Sequence, residues 1–307
     1  MFVRARRTLS RFYGQNIVKC FSFTYSNGIM RKRRFTMLDK INAWFETTDW
    51  FGRPGPYNEN IEYTIFYIAY IILGILLITF LTIKHDDKKT KTALIVFWAL
   101  NVVLDIFKTI GLLSDGKLNV DSDLLLYICS LFLYAMPFAI WGKGKVKAFG
   151  CTFVCTIGLF GGMMNFIMSA IDPTVSDTYY YSLFSFYGPH TALYHLNLLL
   201  VPLIILITGY YKLTFKDFPW AFLGFIIMTI PALIVNAVWE TDWMYLNNGS
   251  TTYLDFVVSI SDATGWFFTV IVYFFYAFLQ ALWSGIIVGI TALINLIKKR
   301  FSKKVTL

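Results

Sequence analysis

The stretch at residues 62–83 reads EYTIFYIAYIILGILLITFLTI, and its only charged side chain is that of Glu62. An α-helix needs about 20 predominantly apolar residues to cross the hydrocarbon core of a bilayer, and this stretch has that length. A helix that is apolar on every side must be surrounded by lipid or by the core of a large protein. The sequence therefore predicts that residues 62–83 form a membrane-spanning helix.

Further stretches of the same character follow along the chain. Of all residues, 57% are hydrophobic and 15% are charged, whereas soluble domains carry about 25% charged residues. We predict an all-α fold, a polytopic transmembrane helical bundle of about seven spans. The predicted spans are 62–83, 92–113, 123–141, 148–171, 187–209, 218–239 and 263–297. The last is too long for an upright span, so we expect it to tilt strongly, extend beyond the membrane or break near Ser284–Gly285.

The basic residues of the short loops predict the orientation of the bundle, because Lys and Arg concentrate on the cytoplasmic side. Three loops and the C-terminal tail are rich in Lys and Arg, namely 84–91, 142–147, 210–217 and 299–307. The alternate loops contain one Lys and no Arg, namely 114–122, 172–186 and 240–262. We therefore predict a multi-pass protein of the cell membrane with its N-terminus outside and its C-terminus cytoplasmic.

The positive charge of the chain is concentrated at its start. Residues 1–36 hold nine Lys and Arg and no acidic residue, which equals the net charge of +9 of the whole chain. We interpret 1–36 as a basic extension, disordered or not native, with translation starting at Met37; the alternative is a cleaved targeting segment. The predicted order is completed by an extracytoplasmic segment at 37–61 with a short interfacial helix, a seven-helix domain at 62–298 and a basic cytoplasmic tail at 299–307. Residues 37–307 carry equal numbers of positive and negative charges, so the charge distribution indicates no nucleic-acid partner.

Polar side chains inside the predicted spans cluster at one depth, in the outer half of the membrane. Such groups are costly in lipid and usually face the bundle interior or a water-filled cavity. These residues are Asp105, Lys108, Cys129, Asn165, His195 and Asn236. We predict an outward-facing polar cavity; the alternative is that each group only joins neighbouring helices. Asp105 and Lys108 are three residues apart on one helix and could pair with each other.

Cys129 and His195 lie on different predicted helices at matching depth. A thiol performs acyl chemistry as a thiolate and needs a base within hydrogen-bond reach, usually a histidine. The alternative is that Cys129 is a small packing residue, as buried cysteines often are. His190 is about 140° around the helix from His195, so the two cannot point to one site without distortion. Because His190 lies only three residues into the predicted span, after Gly188–Pro189, we expect it at the membrane interface. The three histidines show no metal-ligand spacing, and we predict neither a metal nor another cofactor.

Several short motifs carry a family resemblance. Leu124–Ser130 resembles a Leu-Pro-Leu-His-x-Cys-Asp motif, with Leu125, Tyr127 and Ser130 in place of Pro, His and Asp. The segments that begin at Gly162, His195 and Asn236 resemble three later motifs in order. Together they resemble the YwaF-like integral membrane proteins, a family related to transmembrane protein 164. The resemblance implies a Cys/His-dependent acyltransferase that moves fatty acyl chains between phospholipids, with Cys129 as nucleophile and His195 as base.

The expected function is that of a phospholipid acyltransferase, with membrane phospholipids as its partners. The sequence indicates no particular oligomeric state. Cys129 would attack a phospholipid ester from the outer leaflet, His195 would take and return the proton, and Asn165 or Asn236 would bind the oxyanion. Substrate contacts are expected from Asp105, Lys108, Tyr127 and His190. The alternative is a non-enzymatic small-solute transporter or lipid-binding sensor with an outward-facing polar cavity, and a third option is a structural subunit.

Overall fold

The computed structural model describes residues 61–84, 86–114, 118, 123–164, 187–247, 255–265 and 267–305. Within these ranges all regular secondary structure is helical, which confirms the all-α prediction. The predicted extension 1–36 and residues 37–60 of the following segment lie outside the described residues. The helices are α1 (Ile61–Lys84), α2 (Asp87–Ser114), α3 (Leu131–Trp141), α4 (Gly144–Met164), α5 (Tyr187–Thr208), α6 (Phe218–Trp239), α7 (Asp255–Thr264) and α8 (Phe267–Val305).

Six of these helices are long and apolar enough to cross a membrane, which confirms a multi-pass integral membrane protein. Their candidate spans are Thr64–Lys84, Asp87–Leu113, Gly144–Met164, Pro189–Thr208, Phe215–Trp239 and Phe267–Asn295. The centre of the bundle is formed by α4 and α5, which bury most of their residues, while α1 leaves most of its side chains on the outside. The exposed side chains of α1, such as Ile68 and Leu76, are large and apolar, as expected for a surface that faces lipid.

The predicted third span, 123–141, differs from expectation. It is helical only over the 11 residues Leu131–Trp141, which rise about 16 Å and cover about half of the hydrocarbon core. Residues 123–130 form turns instead, with Leu126 N donating to Leu124 O at 2.8 Å and Ser130 N donating to Tyr127 O at 2.9 Å. The apolar composition of 123–130 predicts a helix. The turns instead pair part of the backbone N–H and C=O groups without helical hydrogen bonds. The orientation of the termini remains a prediction.

The half-length helix α3 packs closely against α4. A Cβ atom at Gly150 would lie 2.3 Å from the backbone nitrogen of Ala139, so only glycine allows this approach. Cys151 Sγ lies 3.9 Å from the carbonyl oxygen of Ala139, and both residues are fully buried. Small residues at such crossings let membrane helices approach closely without a hydrophobic driving force. Cys151 is therefore a packing residue.

A π-helical turn at Val154–Gly158 interrupts the regular hydrogen bonding of α4. The carbonyl oxygen of Thr156 in this turn accepts a hydrogen bond from Trp283 Nε1 of α8 at 2.9 Å. Cys155 is fully buried in the same turn, with its sulfur 4.0 Å from the carbonyl oxygen of Pro202. The π-turn thus joins α4 to both α5 and α8.

The last helix, α8, runs without a break through Ser284–Gly285 for 39 residues. At about 1.5 Å per residue it is about 58 Å long and extends beyond a hydrocarbon core of about 30 Å. Of the three options for the last predicted span, a break is therefore excluded. The predicted start at residue 263 is also too early, because α7 ends at Thr264 and Gly265 follows with a φ of +56°.

We expect Gly150→Ala to destabilise the bundle by about 1–3 kcal/mol, because the new methyl group must displace the backbone of α3. The matched control is Gly289→Ala on α8, where a Cβ would meet no atom within 4 Å. Thermal unfolding of the detergent-solubilised protein should show a lower midpoint for the first variant and an unchanged or higher one for the second. Equal midpoints would contradict the close packing of α3 on α4.

Candidate functional site

Cys129 lies in a turn, one residue before Ser130, which is the N-cap of α3. The positive end of the α3 dipole is therefore next to the thiol. The backbone N–H of Ser130 donates to the carbonyl oxygen of Tyr127 at 2.9 Å and so closes the turn around Cys129. Gly161 of α4 permits this turn, because a Cβ there would lie 3.1 Å from Cys129 Cα. The Cys129 side chain itself is partly exposed.

Tyr194 is the residue that connects the other side chains of the site. Its hydroxyl donates to the carbonyl oxygen of Cys129 at 3.4 Å. Its ring stacks on that of His190, with centroids 5.9 Å apart, and meets the ring of His195 edge-on at 5.7 Å. Tyr194 is not among the predicted site residues, although its position four residues after His190 on one helix face could have indicated it.

His190 is buried rather than interfacial, so that prediction was wrong. It is 7% exposed, and its Nε2 lies 3.1 Å from Oδ1 of Asp105, which is 4% exposed. A histidine at the start of α5 is expected to face the lipid headgroups unless a partner inside the bundle binds it. Asp105 on α2 is that partner. This buried pair joins α2 to α5.

Lys108 does not pair with Asp105 as the sequence suggested. Its Nζ lies 3.6 Å from Oδ1 of Asp123, at the beginning of the turn segment that leads to Cys129. Each member of the expected pair thus has a partner on a different part of the chain. The Lys108–Asp123 contact ties the Cys129 segment to α2.

His195 holds a tautomer that is suited to a base. Its Nδ1 lies 2.9 Å from the carbonyl oxygen of Thr191, one turn earlier on α5. A carbonyl oxygen can only accept a hydrogen bond, so Nδ1 carries the proton and Nε2 of the neutral ring has the lone pair. Within the described part of the chain no hydrogen bond joins His195 to Cys129 directly, and Tyr194 contacts both.

Asn236 fixes the segment that follows α6. Its Nδ2 donates to the carbonyl oxygen of Trp243 at 3.0 Å, and its Oδ1 accepts from Thr241 Oγ1 at 2.9 Å and from Trp243 N at 2.7 Å. These bonds hold a segment in which Met244 has a φ of +57°. The oxyanion role predicted for Asn236 would have to use its remaining N–H, and Asn165 lies outside the described residues.

Tyr127 packs on the same segment. Its ring centroid is 4.7 Å from that of Trp243, which is fully buried. Tyr127 therefore joins the Cys129 turn to the segment after α6. Its predicted contact with a substrate remains a prediction.

An apolar groove of about 1370 Å³ begins beside the Cys129 turn. It exceeds the range of about 300–1,000 Å³ that holds most small ligands. Along α2 its lining runs from Trp98 to Ile110, which are twelve residues or about 18 Å apart. Along α3 it runs from Leu131 to Phe138 and reaches Lys145 at the start of α4.

The groove is open at the side of the bundle. Ile106, Tyr134 and Ile227 line it and are 51%, 45% and 46% exposed. In a bilayer such an opening meets lipid chains rather than water. This lateral, apolar groove differs from the polar, outward-facing cavity that the sequence predicted, and Asp105 is the acidic residue that lines it.

The fold and the site define a multi-pass helical membrane protein in which a buried polar cluster borders a lipid-accessible groove. Residues 57–287 match the model of the TMEM164 family, and the chain belongs to that family. The expected relationship to transmembrane protein 164 is thereby confirmed. No curated protein and no solved structure matches the chain.

We expect Asn236→Ala to destabilise the protein, because it leaves the buried N–H of Trp243 and the hydroxyl of Thr241 without their acceptor. An unsatisfied buried polar group costs about 1–3 kcal/mol. The control is Thr92→Ala, which removes an exposed hydroxyl that bonds only within its own helix. Thermal unfolding should show a lower midpoint for Asn236→Ala alone, and an unchanged midpoint would contradict the structural role of Asn236.

Proposed function

We propose that this membrane protein is a Cys/His-dependent acyltransferase that moves fatty acyl chains between phospholipids, with access from the outer leaflet. The observation that carries the proposal is that the turn holding Cys129, at the N-terminus of α3, lines an apolar groove through Leu125 and Leu126, and that this groove opens to the bilayer. A reactive thiol in a water-filled cleft would suit polar substrates. The same thiol beside a lipid-accessible groove suits an ester whose acyl chain lies in that groove.

The first half-reaction transfers the acyl group to the enzyme. His195 Nε2 takes the thiol proton, and Cys129 Sγ attacks the ester carbonyl carbon of a phospholipid. The C–O bond to the glycerol oxygen then breaks, a thioester forms, and His195 returns the proton to the leaving oxygen. The products are an acylated Cys129 and a lysophospholipid.

The second half-reaction is the chemical reverse with a different acceptor. The hydroxyl oxygen of a second lysophospholipid attacks the thioester carbonyl, its proton passes to His195, and the C–S bond breaks. Cys129 regains its proton, and a phospholipid with a new acyl chain leaves. Atoms and charges balance without an external co-reactant.

Two features around Cys129 support a reactive rather than an inert thiol. The positive end of the α3 dipole favours the thiolate over the thiol. Ser130, which stands where the family motif has Asp, can donate a hydrogen bond to the thiolate, whereas a carboxylate would repel it.

The lipid-binding alternative shares the groove but not the chemistry. A small-solute transporter is not supported by an apolar groove with one acidic residue in its lining. A lipid-binding sensor would bind the same acyl chains without forming a thioester. Covalent labelling of Cys129 separates the acyltransferase from the sensor.

We expect the purified protein, incubated with a phospholipid that carries an alkyne-labelled acyl chain, to form a hydroxylamine-sensitive thioester. Cys129→Ala should abolish the label, and Cys151→Ala should retain it, because Cys151 is fully buried between α3 and α4. Mass spectrometry of the labelled peptide identifies the acylated residue. Full labelling of Cys129→Ala would refute Cys129 as the nucleophile.

We expect His195→Ala to slow acyl exchange between phospholipids by about 10²–10⁴-fold, the usual contribution of a general acid–base group. Comparing the lipid composition of cells that express the wild-type protein, Cys129→Ser or His195→Ala measures the exchange. Unchanged acyl exchange in both variants would end the acyltransferase proposal.

A further inference from the structure

Asp105 has one carboxylate oxygen that the described structure leaves without a partner. Its Oδ1 lies 3.1 Å from His190 Nε2, whereas Oδ2 is removed from solvent and has no hydrogen-bond partner among the described residues. Asp105 also lines the apolar groove. A buried polar atom without a partner is costly and rare, and near a groove it indicates a ligand group that completes it.

The chemistry of the missing group follows from that of the carboxylate. An ionised carboxylate only accepts hydrogen bonds, so the ligand must bring a donor. His190 Nε2 already contacts the other oxygen, so the ligand has to supply a donor to Oδ2 alone. A neutral hydroxyl is therefore the simplest donor that fits.

The groove specifies the rest of the ligand. Its lining is almost wholly apolar, and it opens between exposed apolar side chains toward the bilayer. A ligand that enters laterally and places a hydroxyl at Asp105 must carry a long apolar chain. These are the properties of a single-chain hydroxyl lipid, such as a lysophospholipid with one free glycerol hydroxyl.

We propose that Asp105 Oδ2 accepts a hydrogen bond from the free hydroxyl of a lysophospholipid whose acyl chain lies in the groove. The role of Asp105 in catalysis rests on the proposed acyltransferase function. In that function, Asp105 selects and orients the acceptor lipid. Asp105 is connected to the Cys129 turn through His190, whose ring stacks on that of Tyr194, and the Tyr194 hydroxyl donates to the carbonyl oxygen of Cys129. The acceptor hydroxyl is then held in the groove that Leu125 and Leu126 of the Cys129 turn also line, and diacyl lipids, which lack a free glycerol hydroxyl, are not selected.

Binding can be measured without turnover in the full-length Cys129→Ala protein in nanodiscs. The probes are a lysophosphatidylcholine and its 2-deoxy analogue, which compete with a fluorescent lysolipid. We expect the lysolipid with the hydroxyl to bind about tenfold more tightly, as for a hydrogen bond to a charged group. Equal affinity of the two probes would overturn the proposal, and this comparison needs no change at Asp105.

Asp105→Asn tests the same contact from the protein side. The amide oxygen is needed by His190, so the amide NH₂ faces the groove and presents a donor where the hydroxyl needs an acceptor. We expect the preference for the hydroxyl to fall to less than about twofold. Asp262→Asn, which changes an exposed carboxylate of α7, should keep the full preference. A tenfold preference that persists in Asp105→Asn would overturn the proposal.

In the protein with Cys129 intact, we expect Asp105→Asn to raise the KM for lysophospholipid about tenfold with little change in the kcat of the acceptor half-reaction. A purely structural role would lower both half-reactions together and would overturn the proposal. If no thioester forms at Cys129 but the hydroxyl preference is present, the acceptor site stands and the acyltransferase function fails. If the thioester forms without any hydroxyl preference, only the acceptor site fails.

Discussion

Backbone hydrogen bonding is the constraint on which the site depends. In the hydrocarbon region each unsatisfied N–H or C=O costs several kcal/mol, so a non-helical segment is tolerated only where protein covers it. Residues 123–130 are such a segment at the start of α3. Their turns satisfy part of the backbone internally, and Tyr194 donates to the carbonyl oxygen of Cys129. The turn that holds Cys129 is thus in contact with α4 through Gly161 and with α5 through Tyr194.

The polar side chains inside the bundle differ in how many of their hydrogen-bonding groups are used by contacts between helices. The sequence left two roles open for these side chains, packing contacts between helices or the lining of a functional cavity. A single residue can be assigned to one of the two, but the group as a whole contains both kinds. Asn197 is a packing residue, because its Nδ2 donates to Asn101 Oδ1 at 2.5 Å and its Oδ1 accepts from Tyr70. Asp105 differs, because one of its oxygens joins α5 while the other has no partner among the described residues.

The sequence predicted the long spans well and the site less well. The prediction 218–239 coincides with Phe218–Trp239, and 62–83 is close to Ile61–Lys84, because bilayer thickness determines how long an apolar run must be. Asp217 also marks the start of α6 by accepting from the N–H and the hydroxyl of Thr214, both at 2.8 Å. The turn at 123–130 was not predictable from hydropathy, since a covered turn and a helix need the same apolar residues. The burial of His190 depends on Asp105, 85 residues earlier, which no local pattern reveals.

The surroundings of the groove determine where selectivity can come from. In water, each apolar Å² removed from solvent contributes about 25 cal/mol, so an apolar groove would itself bind a lipid chain. In a bilayer the competing environment is equally apolar, and moving a chain from lipid into the groove gains little beyond packing. The groove can therefore orient a chain, but it discriminates weakly between lipids. We expect discrimination to come from polar residues of the lining such as Asp105, because a hydrogen bond that completes a buried carboxylate has no equivalent among the lipid tails.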